Sequence, residues 1–132
     1  MTPALAHIAP AGAFKMPPLS VAVRAGNLVF VSGTPGYDND GHIRRDFGAQ
    51  FEQAVATLAD VLQRSGSSLR SLVKVNVLLT RLQDVEEMNR RYAIAFGPAP
   101  YPARTTAVVL SLPDARMLIE IECVALAESA SA

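Results

Sequence analysis

The residues best placed to do chemistry lie in Tyr101–Val124, YPARTTAVVLSLPDARMLIEIECV. Arg104 follows a Pro-Ala turn at the mouth of an apolar strand. In the next strand Glu120 and Glu122 alternate with Ile119, Ile121 and Cys123. A period of two puts the three apolar residues on one face and both glutamates on the other. Two like charges on one face of an apolar strand are costly unless that face is wet, paired or functional. A guanidinium nearby would be a carboxylate receptor, because its planar fork matches a carboxylate bidentately. Solvated glutamates on an outer face and a surface ion pair for Arg104 are the ordinary alternative, and spacing alone leaves both readings open.

The elements that must hold these residues can be read from the pattern of the chain. Leu19–Ala25 reads as a strand, Ala25-Gly26-Asn27 as a tight turn, and Leu28–Val31 as a second strand ending at Ser32-Gly33, together a hairpin. The segment from Pro35 to His42, PGYDNDGH, has turn composition. It lacks the ligand spacing and closing glutamate of a calcium loop. Asp46 is placed to cap a helix whose apolar stripe is Phe47, Phe51, Val55, Leu58 and Leu62, stopped by Gly66. A strand follows in which Val73, Val75, Val77 and Leu79 alternate with Lys74, Asn76, Leu78 and Thr80. Asp84 and Glu87 have the spacing of a capping box for a second helix carrying Val85, Met88, Tyr92, Ala95 and Phe96, which Gly97-Pro98 stops. Two last strands, near Thr105–Leu112 and Met117–Leu126, complete the order ββ–α–β–α–ββ.

That order predicts an α/β (α+β) fold: one mixed sheet with two helices packed on one face. Leu28–Val31 and Ala107–Leu110 are nevertheless apolar on both sides. Strands of that kind are covered twice, and two helices cover one face only. A second copy of the chain must cover the other, because a large exposed apolar patch is an aggregation liability. An obligate homo-oligomer packed sheet against sheet is therefore expected.

Composition bounds the rest. The 132 residues are enough for one domain, with residues 1–18 expected to form a loosely ordered N-terminal arm. Formal net charge is zero, so no positive footprint for nucleic acid is present. No apolar run is long enough to span a bilayer, and the first residues lack the pattern of a signal peptide. The single cysteine, Cys123, has no internal partner and falls on the apolar side of its strand, as a small buried hydrophobe would. A cytoplasmic protein is the expectation.

The segments GNLVFVSGTPG, VKVNVLLTRLQDVEEMNRRYAIAF and YPARTT…LP…IEIECVAL resemble, in order and approximate spacing, the Rid family (reactive intermediate deaminases, also called YjgF). The resemblance runs from about Leu19 to Leu126. It implies a chorismate-mutase-like fold and a homotrimer whose sheets form a central barrel, with active-site clefts between subunits. It also implies hydrolysis of enamines and imines such as 2-aminoacrylate and 2-iminopropanoate to 2-oxoacids and ammonia, with no metal and no organic cofactor. Carried over by position, Arg104 matches the substrate-carboxylate arginine and Glu120 the glutamate that positions a water. Ser32, Asn89 and Thr106 match polar positions of the substrate site. Leu19 stands where the best-known members carry tyrosine, Thr106 where many carry cysteine, and Thr34 where glutamine is common. One more residue lies between the Arg and Glu motifs than in the family pattern. Ser32, Asn89 and Thr106 also have plain structural readings, and Glu122 is read as structural. Two alternatives stand beside the deaminase: a specialised enzyme for a longer substrate of the 2-aminomuconate kind, and a non-catalytic ligand-binding or regulatory trimer.

Overall fold

The computed structural model describes residues 4–11 and 15–128. Six strands form one sheet in the order β1-β2-β3-β6-β4-β5. They are β1 (Leu5–Ile8), β2 (Ala22–Ala25), β3 (Leu28–Pro35), β4 (Leu72–Leu79), β5 (Ala103–Val108) and β6 (Ile119–Leu126), with helices α1 (Phe47–Arg64) and α2 (Val85–Ala95). Only β4 and β5 pair in parallel, and α2 supplies the crossover such a pair needs.

Helix α1 forms where its caps and stripe predict. The Asp46 carboxylate accepts from the Ala49 N–H at 2.9 Å. At the other end Gly66, at φ +81°, lets its own N–H reach Gln63 O at 3.1 Å and that of Ser67 reach Leu62 O at 2.8 Å. This Schellman arrangement satisfies carbonyls the helix would leave open. Phe51, Ala54, Leu58 and Leu62 are fully buried against Val29, Val75, Val77, Ile119 and Ile121, and Met88 and Tyr92 of α2 join the same core. Each large side chain so buried stabilises by about 1.5–3 kcal/mol.

Three expectations are corrected. The N-terminal arm is not loose over Leu5–Ile8: it adds β1 to the edge of β2, making six strands rather than five. Its residues are mostly exposed, so backbone pairing holds it, and no burial pattern announces it. The first hairpin strand begins at Ala22, not Leu19: its ladder with β3 ends at the Ala22–Val31 pair, where β3 shifts register against β6. Asp84 makes no cap bond to α2. Arg81 takes its carboxylate through two bonds of 2.7 and 3.0 Å, while Glu87 accepts from Arg91. The D-x-x-E spacing thus serves two ion pairs instead of a capping box. The hairpin turn is as expected, with Gly26 alone at positive φ, the pattern of a type II′ turn.

The face away from the helices carries Leu28, Phe30, Leu78, Val124 and Leu126 beside Glu120 and Glu122. Phe30 and Leu126 are 45% and 46% exposed. The two-sided apolar character of β3 thus corresponds to an uncovered sheet face. Val108 is exposed near the edge strand's end, and Leu110 is fully exposed beyond it.

Candidate active site

Strand register decides where the candidate residues stand. Arg104 pairs with Val75 and Thr106 with Val77, so both lie on the helix-covered face. Glu120 pairs with Leu78 and Glu122 with Asn76, on the open face. From Arg104 to Glu120 the path crosses β4 and runs three residues along it. Two spacings of about 4.8 Å and three rises of about 3.3 Å put their Cα atoms about 14 Å apart, on opposite sides of the sheet. One subunit cannot close both on one small substrate. The candidates instead form two half-sites.

The first half-site lies on the edge strand. The Arg104 guanidinium sits 4.7 Å from the centroid of the Tyr92 ring, and Nη1 lies 3.9 Å from Met88 Sδ. Among the described residues no carboxylate pairs with it. Thr106 is half-buried, and its hydroxyl has no partner among the described residues. Asn89 is exposed on α2 and lies one turn from Tyr92 at i, i+3 spacing. Arg104 and Thr106 therefore share one face of the edge strand, with α2 over Arg104.

The second half-site lines a cleft of about 560 Å³ that includes Leu19, Ser32, Gly33, Thr34, Tyr37, Asp114, Arg116 and Glu120. The Ser32 hydroxyl donates to Ser20 O at 2.6 Å, which leaves its oxygen as an acceptor toward the cleft. Among the described residues Glu120 makes no ion pair. Burial, and then the charge of Glu122, hold its carboxyl above the ordinary glutamate value. Glu122 accepts from Asn76 Nδ2 at 3.1 Å, as the structural reading expects. Burial first, then Glu122, push the Cys123 thiol up to about 12, so it is an inert core group.

Sequence reasoning missed three contributors. A Cβ at Gly33 would lie 2.7 Å from Glu120 Cδ and Oε1, so the glycine of the Ser-Gly motif is the surface on which the carboxylate rests. Gln50, fully buried in α1, donates to Arg44 O at 2.7 Å and Arg116 O at 2.9 Å and accepts from Leu118 N at 2.8 Å. It anchors the chain just before Glu120. Its position within an apolar stripe was the available signal. Tyr37 donates to Asp114 Oδ2 at 2.5 Å, while Arg116 grips the same carboxylate through bonds of 3.1 and 2.6 Å. Arg116, then Tyr37, hold Asp114 well below the usual carboxylate range. This array ties the 35–42 loop to the 111–118 loop at the cleft wall.

Among the described residues Asp38, Asp40 and His42 bring ligand atoms within 4.8 Å of one another. Asp38 Oδ1 already accepts from the backbone N–H groups of Asp40 and His42, each at 2.9 Å. That is turn chemistry, as the composition of this loop predicts.

A mixed sheet with two helices on one side, a guanidinium over an aromatic ring at one edge and a cleft glutamate two strands away defines a distinct class of α+β protein. The chain belongs to the family described as endoribonuclease L-PSP, whose model matches residues 11–127, the family of the YjgF/RidA proteins. It is 39% identical over 110 residues to Reactive Intermediate Deaminase A, chloroplastic, of Arabidopsis thaliana. That match covers 82% of this chain, which spans 58% of the Arabidopsis protein. It is 38% identical over 110 residues to protein mmf2, mitochondrial, of Schizosaccharomyces pombe, covering 82% of this chain and 86% of that one. The crystal structure of RidA from the Antarctic bacterium Psychrobacter sp. PAMC 21119 superposes with a TM-score of 0.80 at 34% identity, over 87% of this chain and 93% of the other. Two of these relatives carry organellar names, and no helix among the described residues is long and apolar enough to cross a membrane.

Proposed function

We propose that this protein hydrolyses small 2-imino and 2-enamino acids, of the 2-iminopropanoate and 2-aminoacrylate kind, to 2-oxoacids and ammonia. One observation carries this reading. A guanidinium and a partly buried carboxylate, neither ion-paired among the described residues, stand at the two positions the family pattern marks. Within one subunit they are held too far apart to neutralise each other. The open apolar face around Phe30 and Leu126 supplies the reason for copies to meet there. A homotrimer with its sheets inward would bring Arg104 of one copy to the Glu120 cleft of the next. The kinship to a named reactive intermediate deaminase supports the same assignment.

The chemistry then follows from the residues. Arg104 holds the substrate carboxylate through two charge-assisted hydrogen bonds, and Asn89 and Thr106 flank it. Ser32 Oγ accepts from the imine N–H. Glu120 takes a proton from a water as the water oxygen bonds to the imine carbon and the C=N π pair moves to nitrogen. The protonated Glu120 returns that proton to the nitrogen. Glu120 then relays the hydroxyl proton to the nitrogen as the C–N bond breaks, so that ammonia leaves and the hydroxyl oxygen becomes the carbonyl. A carboxyl held above its ordinary value by burial suits both steps. Positioning supplies most of the acceleration. No cofactor enters these steps.

A specialised enzyme for a longer substrate is the second reading. It is favoured by Leu19, which leaves room where relatives carry tyrosine, and by a cleft of about 560 Å³, large for a three-carbon acid. A cytoplasmic site of action belongs to the proposal, on the strength of the lone, unpaired Cys123. Cell fractionation checks it against the organellar names of the relatives.

The test generates imino acids from a panel of amino acids with an amino-acid oxidase while semicarbazide competes for them. Wild type should suppress semicarbazone formation and Arg104→Ala should not. Suppression only with long side chains would select the second reading. No suppression with any substrate, combined with tight 2-oxoacid binding, would make the protein a ligand-binding module instead.

A further inference from the structure

Arg104 is exposed on an edge strand, where a long side chain has many rotamers and its five donors many directions. A carboxylate receptor needs one fixed plane. The fork is not oriented by an acidic residue, since none pairs with it among the described residues. An acidic partner would occupy the donors the substrate needs. The guanidinium instead lies against the Tyr92 ring at 4.7 Å, with Met88 Sδ at 3.9 Å from Nη1. A guanidinium whose carbon is held over an aromatic face is fixed in place by a partner that takes no hydrogen bond in return, so the donors not directed at Met88 stay free.

The ring is itself closely packed. Tyr92 is 4% exposed, with its centroid 4.4 Å from that of Phe96 and 6.3 Å from that of Tyr101. Its hydroxyl is buried and without a partner among the described residues. The hydroxyl therefore does not explain the residue; the aromatic face does.

We infer that Tyr92 is a positioning residue for substrate binding: its ring face orients the Arg104 fork toward an incoming carboxylate. The inference rests on the proposed deaminase site and names the residue that makes its carboxylate receptor directional.

The test replaces Tyr92 by phenylalanine, then by progressively fluorinated phenylalanines, which keep the ring's shape while draining the negative charge from its face. Calorimetry reads the affinity for pyruvate, the product of 2-iminopropanoate hydrolysis, and kinetics read KM and kcat. Tyr92→Phe should bind pyruvate within about threefold of wild type, and the most fluorinated ring about tenfold more weakly, as loss of one cation–π contact predicts. KM should rise in step while kcat stays within about threefold. A purely structural role for Tyr92 would not produce that split or that gradation. Affinity and KM indifferent to fluorination would overturn the inference, and so would a Tyr92→Phe variant already as weak as the most fluorinated one. Pyruvate binding that follows the series in a protein turning over no imine would sink the deaminase reading and leave the positioning role intact. Normal turnover with no gradation would sink the positioning role alone.

Discussion

Gly33→Ala should disable Glu120 in the water-activating role proposed for it, while leaving the fold untouched. The new Cβ would stand 2.7 Å from both Cδ and Oε1 of Glu120 and 3.1 Å from Cγ. Comfortable carbon contacts begin near 3.5 Å, so the carboxyl must withdraw by about 1 Å. It is the far end of a flexible side chain facing an open cleft, and it can swing away at little conformational expense. The backbone has no objection either, because Gly33 is not among the positive-φ glycines. A glycine-to-alanine change at a compatible site stabilises by up to about 1 kcal/mol through the unfolded chain. Catalysis has no such tolerance: a displacement of about 1 Å costs on the order of 100-fold, or about 2.7 kcal/mol of barrier. We expect kcat for imine hydrolysis to fall by about that factor and the melting temperature to hold or rise slightly. KM should hardly change, since the proposed site rests the substrate carboxylate on Arg104, which this substitution does not touch. Steady-state kinetics beside thermal unfolding decide the matter. A folded Gly33→Ala protein with wild-type kcat would mean that Glu120's resting place is irrelevant, and with it the role given to Glu120.

Arg104→Ala should remove most activity with oligomeric state unchanged by light scattering. Arg104→Lys should also be poor, because a point charge does not reproduce the fork. Activity should rise with pH through an acid limb lying above the ordinary glutamate value, because burial and then Glu122 raise the Glu120 pKa; Glu122→Gln should move that limb to lower pH. A raised folded-state pKa contributes stability that is present below the unfolded value and lost as pH rises through the folded one. Glu120→Gln should therefore remove from the melting-temperature profile the part of that loss that sets in as pH rises above the ordinary glutamate value. Phe30→Asp should break the oligomer, since it forfeits about 1.5–3 kcal/mol of apolar burial per copy and puts a charge in its place; an unchanged mass in solution would contradict sheet-to-sheet packing. Asp46→Ala should lower stability by about 1 kcal/mol in chemical denaturation, with activity retained.

By itself the sequence determined what depends on near neighbours. The α1 stripe and its two caps, the Gly26 turn, and the alternation along β4 and β6 are local periodicities, and each appears where its residues predict, save that the β4 alternation begins at Val75: Val73 is exposed beside a register shift between Leu72 and Lys74. The polar candidates were also legible, because a glutamate pair within an apolar alternation and an arginine after a turn are anomalies of type and spacing. The apolar Leu28–Val31 run marked the second apolar face, which the single chain leaves open at Phe30 and Leu126. Tertiary structure alone decided the rest. Strand order placed Arg104 and Glu120 on opposite faces, and register between distant segments has no local signature. Leu5–Ile8 became a strand through backbone pairing with β2, which leaves no hydrophobic pattern to read. Asp84 had the spacing of a cap, yet Arg81 claimed it, because competition between partners is settled by geometry. Gly33, Gln50 and Tyr92 look like an ordinary turn glycine, a stray polar residue and a core aromatic. Only folding brings a carboxylate over the first, a loop onto the second and a guanidinium onto the third.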